Sequence, residues 1–169
     1  MKAFCTTFLI FVFTTIALFS QSKHAKTSNY LSYKGLVMAG YQGWFRAPKD
    51  DAKRGWAHYG SGDKFDFENN TIDFWPDVSE YKKTYKTVFK YYDGTNAEVF
   101  SSVDKSTTDL HFKWMREYGV DGVFMQRFFG VTRKHTNSNK PQDIILSNAL
   151  KAAKVNNRAL AVMYDLSGL

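Results

Sequence analysis

Glutamine, arginine, aspartate and histidine stand beside large aromatic residues at four places in the sequence. Tyr41, Gln42 and Trp44 follow a short apolar run, and Trp56 and His58 lie within Gly-Trp-Ala-His-Tyr-Gly (55–60). Gln126 and Arg127 interrupt Val-Phe-Met-Gln-Arg-Phe-Phe (123–129), and Tyr164 and Asp165 close a last apolar stretch. Amide, guanidinium and carboxylate groups can hold a hydroxyl-rich ligand, and flat aromatic faces stack on the C–H patches of sugar rings. Tyr41, Gln42, Trp44, Trp56, His58, Gln126, Arg127 and Tyr164 are therefore the candidate substrate-binding residues. Hydrolysis of a glycosidic bond needs two carboxyl groups flanking it. Asp165 is the candidate catalytic residue, with Asp104 a less well placed second. A purely structural reading instead pairs Arg127 with Asp165 across neighbouring strands and puts Trp44 in the core.

Other chemistries find little support. The one cysteine, Cys5, precedes any folded domain, so neither a thiolate nucleophile nor a thiolate metal site is expected. His58, His111 and His135 show no zinc-binding spacing, and His111 falls on a predicted helix as a packing or surface residue. The run Asp63, Asp66, Glu68, Asn69, Asn70 misses the calcium-loop spacing. Ser101-Ser102 lacks the glycines of a nucleophile elbow, and no phosphate-binding glycine pattern occurs. No cofactor and no metal are expected.

The elements that must position these residues follow from hydropathy. Leu36 to Ala39 is a continuous apolar run, predicted as a strand buried on both faces. The segment from Arg46 to Pro76 is too long for a plain connection and is expected to serve the site. Val78 to Lys90 reads as a short helix or an irregular approach to the turn at Tyr91-Tyr92-Asp93-Gly94. Ala97 to Ser101 is a predicted second strand. A helix over Thr107 to Tyr118 presents Leu110, Trp114 and Tyr118 on one face, with Ser106 as N-cap and Gly119 at C′. Val120 to Phe129 is a strand, Pro141 opens a helix reaching about Val155, and Arg158 to Asp165 is the last strand. Alternating strands and crossover helices predict an α/β fold with a parallel sheet. Four strands ending at residue 165 predict the N-terminal half of a (β/α)8 TIM barrel, a truncated one, with the site at the carboxyl ends of the strands.

The 169 residues suit one domain preceded by a targeting segment. Lys2, the apolar stretch Ala3 to Phe19 and the small Ser20 and Ser22 read as a signal peptide over 1–22, with a retained anchor as the alternative. A polar linker over 23–34 and the barrel domain over 35–169 complete the expected organisation. The net charge of +7 is carried by lysine-rich clusters (Lys82, Lys83, Lys86, Lys90; Arg133, Lys134, His135, Lys140) without the pattern of a nucleic-acid reader. Nucleic acid is not an expected partner, and no stable membrane span is expected after signal cleavage.

Gly-Tyr-Gln-Gly-Trp-Phe (40–45), Gly-Trp-Ala-His-Tyr (55–59), His-Phe-Lys-Trp-Met-Arg-Glu-Tyr-Gly-Val-Asp-Gly-Val-Phe-Met-Gln-Arg-Phe (111–128) and Ala-Val-Met-Tyr-Asp-Leu-Ser-Gly (161–168) resemble the bacterial glycoside hydrolase family 71/99-like proteins. Some of those relatives are labelled xylosidase/arabinosidase. The resemblance runs from about Leu31 to the C-terminus, and its most specific block is 111–128. It implies a secreted, periplasmic or cell-envelope (β/α)8 enzyme acting on polysaccharide or oligosaccharide without a cofactor. Neighbouring families cleave α-linked mannosides or α-1,3-glucans; in the mannosidase-type family the catalytic glutamate pair sits late in the barrel, a motif without counterpart here. What the resemblance carries over is the first half of the cleft: Tyr41, Gln42, Trp44, His58, Gln126, Arg127, Tyr164 and Asp165. A non-catalytic secreted or cell-surface glycan-binding protein is the alternative.

Overall fold

The computed structural model describes residues 29–132 and 140–167. The predicted signal segment and the cluster at Arg133, Lys134 and His135 lie outside the described residues. Contacts divide the chain between Leu31 and Ser32, and all the described strands and helices belong to the unit from Ser32 onward.

Three strands form a parallel sheet in the order β1 (Met38–Tyr41), β4 (Gly122–Phe128), β5 (Ala159–Asp165). Helix α1 (Lys105–Glu117) connects β1 to β4 after a long excursion, and α2 (Lys140–Asn156) connects β4 to β5. Within the excursion β2 (Tyr85–Lys90) and β3 (Asn96–Val99) form an antiparallel pair of their own. The alternation of strand and helix around a parallel sheet is as predicted, but the sheet has three strands where the sequence predicted four. The predicted strand at Ala97 to Ser101 is β3, and it pairs with β2 instead of joining the parallel sheet. Nor is Val78 to Lys90 helical: Tyr85, Thr87 and Phe89 turn inward while Lys86, Val88 and Lys90 are exposed, the period of a half-buried strand.

Side-chain alternation gives the parallel sheet two unlike faces. Tyr41, Val123 and Met125 point toward the helices and join Phe112, Ile145, Ala149, Ala152 and Ala153 in the main core. The parallel register aligns Gly40 with Phe124 and Ala161, Gln126 with Met163, and Phe128 with Asp165 on the other face, which no helix covers among the described residues. The expectation that β1 is buried on both faces fails, since Val37 is exposed and Gly40 lies open. Gly122 is held to glycine by its neighbour: a Cβ there would come 2.2 Å from the Ala159 carbonyl oxygen.

Helix α1 starts two residues before the predicted turn, with Asp104 as N-cap in place of Ser106. The Asp104 carboxylate does not cap the helix, because Lys83 Nζ (2.6 Å) and Tyr85 OH (2.7 Å) both donate to it. The helix does end at Gly119 as predicted, with φ of +76° and the Val120 amide donating to the Met115 carbonyl, the six-to-one bond of a Schellman turn. Its buried face, however, is Thr108 and Phe112 with Met115 alongside. Trp114 instead packs edge-on against Tyr81, and Tyr118 is 78% exposed.

The excursion from Arg46 to Pro76 has a structural reason for its length. Tyr59, Phe65 and Val99 are buried at the centre of a second core, with Phe45, Trp56, Ile72, Trp75, Tyr85 and Phe89 packed around them. Tyr59 donates its hydroxyl to the Phe100 carbonyl at 2.8 Å, and Trp75 donates its indole N–H to the Glu98 carbonyl at 2.9 Å. Each of these two aromatics thus keeps a partner for its polar atom, which its burial requires.

Candidate functional site

At the carboxyl ends of β1, β4 and β5 the open face turns polar. Gln42 Nε2 donates to Gln126 Oε1 at 3.4 Å, and Gln126 Nε2 donates to Asp165 Oδ2 at 2.6 Å. The row exists because Gln126 and Asp165 lie near the ends of neighbouring parallel strands, within reach of one another across the open face. Asp165 is fixed from its other oxygen, Oδ1, which accepts the Ser167 amide at 2.8 Å and the Ser167 hydroxyl. The hydroxyl and amide of Ser167, with Gln126 adding to them, hold the Asp165 carboxyl below its ordinary range. It is a carboxylate at neutral pH and cannot act as a proton donor there.

A cavity of about 310 Å³ opens beside this row, lined by Gly40, Gln42, Phe45, Phe100, His111 and Gln126 among others. Ligand pockets span about 300–1,000 Å³, so this one suits a small ligand or the end of a longer one. Its wall holds a group, His111, that the sequence placed on a helix as a packing or surface residue. The Tyr41 hydroxyl lies 3.1 Å from Nδ1 of His111, and the Tyr81 hydroxyl lies 2.7 Å from Nε2. Phe100 and Trp114 rings flank the imidazole. Burial lowers the His111 pKa from 6.5 to about 4 and raises that of Tyr41 to about 12. His111 is therefore neutral, one ring nitrogen donating and the other accepting. Only its place on a helix was visible in the sequence, because its partners lie 70 and 30 residues away.

A second aromatic group stands next to the row. Trp44 stacks on Phe128 with ring centroids 5.3 Å apart and lies 5.0 Å from His58. Phe128 is the register partner of Asp165, so this shelf sits at the same end of the sheet as the carboxylate. Burial, with Arg46 nearby, lowers the pKa of His58.

The other sequence candidates go elsewhere. Trp56 packs edge-on against Tyr59 and Phe65 in the second core, at 6.1 and 5.2 Å. Arg127 has the opposite parity to Gln126 and turns toward α2. There it donates to Asp143 Oδ1 at 2.6 Å, so it joins neither the cleft, where it was expected as a substrate-binding residue, nor the pair with Asp165 that the purely structural reading offered. Tyr164 is the register partner of Arg127 and packs edge-on near Phe129, at 6.3 Å. Asp104, the second candidate carboxylate, is buried under Lys83 and Tyr85 and does not line the cavity. Among the described residues no carboxylate lines the cavity, and no group of three metal-ligating side chains occurs. No helix among them is long and apolar enough to cross a membrane.

Comparison with protein-family models, with curated proteins and with solved structures gives no match.

Proposed function

We propose that the chain is part of an exported, glycoside hydrolase-like (β/α)8 protein and supplies a sugar-binding portion of its cleft. The observation that carries this reading is the hydrogen-bonded row Gln42–Gln126–Asp165 at the carboxyl ends of parallel strands, beside the Trp44–Phe128 shelf. Two amides and a carboxylate offer donors and acceptors at fixed spacing for vicinal hydroxyls. Trp44 and Phe128, with His58, line a smaller pocket of about 60 Å³ at the same end of the sheet, where an apolar edge of a ring can be held. Parallel α/β folds place their ligands at this end of the sheet.

Within this reading Asp165 takes the ionised role of a glycosidase pair, as nucleophile, base or charge stabiliser, and a separate carboxylic acid must protonate the leaving oxygen. The cavity itself is lined by amides, aromatics and a neutral imidazole, with no carboxylate among the described residues. That lining favours a second reading, in which the chain binds glycan without cleaving it.

Titration of the purified chain with α-mannan, α-glucan and arabinoxylan fragments, followed by calorimetry and by tryptophan fluorescence, tests the proposal. At least one of these is expected to bind, and Gln126→Ala is expected to weaken it about tenfold, the loss of roughly 1.4 kcal/mol. Absence of binding to all three would overturn both readings. Release of reducing sugar by the chain alone would overturn the binding-only one.

A further inference from the structure

Gly40 stands within β1, on the open face of the sheet and in the lining of the cavity. Glycine weakens a strand interior, where it adds backbone entropy to the unfolded chain and offers no side chain to pack. Two causes commonly keep a glycine in such a place, and neither operates here. Its φ is not in the left-handed region, unlike Gly43 at +64° three residues on. Nor is it crowded: a Cβ built on Gly40 meets nothing within 4 Å among the described residues, whereas one on Gly122 would run into the Ala159 backbone. Nothing among the described residues requires glycine at position 40.

What the bare position provides is space. Alternation puts residues 40 and 42 on one face, and the parallel register sets Gly40 beside Phe124, one step below Gln126. A side chain at 40 would project from the open face into the space that Gly40, Gln42 and Gln126 line together.

We propose that Gly40 is a specificity-determining residue: a sugar ring seats over its exposed backbone, with ring hydroxyls directed to Gln42 and Gln126. This rests on the sugar-binding reading above. It adds that the depth of the cavity is set by an absent side chain. The seat takes one ring, the terminal unit of an oligosaccharide or a single exposed residue of a longer chain. A larger residue at 40 excludes the ring without touching any polar group that would bind it.

The test compares the unmodified chain with Gly40→Ala and Gly40→Val, using thermal unfolding and calorimetric titration with α-mannan, α-glucan and arabinoxylan fragments. Both variants are expected to unfold at the same temperature as the original or a few degrees higher, because the added side chain suits a strand. Binding is expected to fall at least tenfold in Gly40→Val and by less in Gly40→Ala. Unimpaired binding in Gly40→Val would overturn the proposal and leave the sugar-binding reading standing. A marked drop in unfolding temperature in Gly40→Ala would overturn it too, since glycine would then serve the fold. Failure of the unmodified chain itself to bind any of the three would overturn the sugar-binding reading and this proposal with it.

Discussion

Acidification from about pH 7 to about pH 4 is expected to remove roughly 3 kcal/mol of folding stability through His111. The imidazole is held between the Tyr41 and Tyr81 hydroxyls, and burial lowers its pKa from 6.5 to about 4. As pH falls through 6.5 the unfolded chain takes up a proton at this position, and the folded chain does so only near 4. Between those values the unfolded state binds more protons, so the folded state loses ground as pH falls. The stabilisation is complete above the unfolded pKa and gone below the folded one. His58 adds a shift of the same sign, through burial and Arg46. The depressed carboxyls Asp66, Asp77, Asp93 and Asp165 act in a lower window. Their stabilisation is present above the ordinary value of 3.8 and is lost as pH falls through their folded values. Urea unfolding at several pH values between about 7 and 4.5 measures the slope. His111→Phe strands a buried phenol and is expected to be less stable throughout, yet with most of that slope removed. An unchanged slope in the variant would assign the acid sensitivity to other groups.

Asp50→Ala is expected to destabilise the chain by about 3–4 kcal/mol, more than any substitution in the polar row. Asp50 is 1% exposed and accepts four hydrogen bonds. Its Oδ1 takes the amides of Ala52 (2.9 Å) and Lys53 (3.0 Å). Its Oδ2 takes the Ser101 hydroxyl (2.7 Å) and, more weakly, the Ala47 amide (3.4 Å). Through Ser101 the carboxylate ties the start of the long excursion to the segment leading into α1, next to the cavity wall formed by Phe45 and Phe100. Alanine would leave the Ala52 amide and the Ser101 hydroxyl buried without this acceptor. The conservative change Asp50→Asn keeps one acceptor oxygen and is expected to recover about half the loss. Chemical denaturation of the two variants measures the difference, and equal stability of Asp50→Ala and the original would show that the loop holds its shape without this anchor.

Local pattern determined the outline of this fold. Strands β4 and β5 and helices α1 and α2 lie within two residues of their predicted bounds, because hydropathy period, Gly119 and Pro141 act over a few residues. Gln42, Gln126 and Asp165 stood out as candidates for a similar reason, as polar groups at the ends of apolar runs, and the structure joins them in one hydrogen-bonded row. Only the tertiary structure decided which neighbours they kept. Gln126 and Arg127 are adjacent in sequence, yet alternation sends one to the open face and the other to Asp143 on α2. A one-residue change in parity reverses a strand's faces, and nothing local to β4 fixes it. Trp56 offered the same aromatic ring to a cleft or a core, and packing among Tyr59, Phe65 and the β2–β3 pair took it. The pairing of β3 with β2, and the meeting of Tyr41, Tyr81 and His111, depend on contacts between distant segments. Local propensity governs which residues form an element, whereas long-range burial governs what each face of that element meets, and the candidate site is made from those faces.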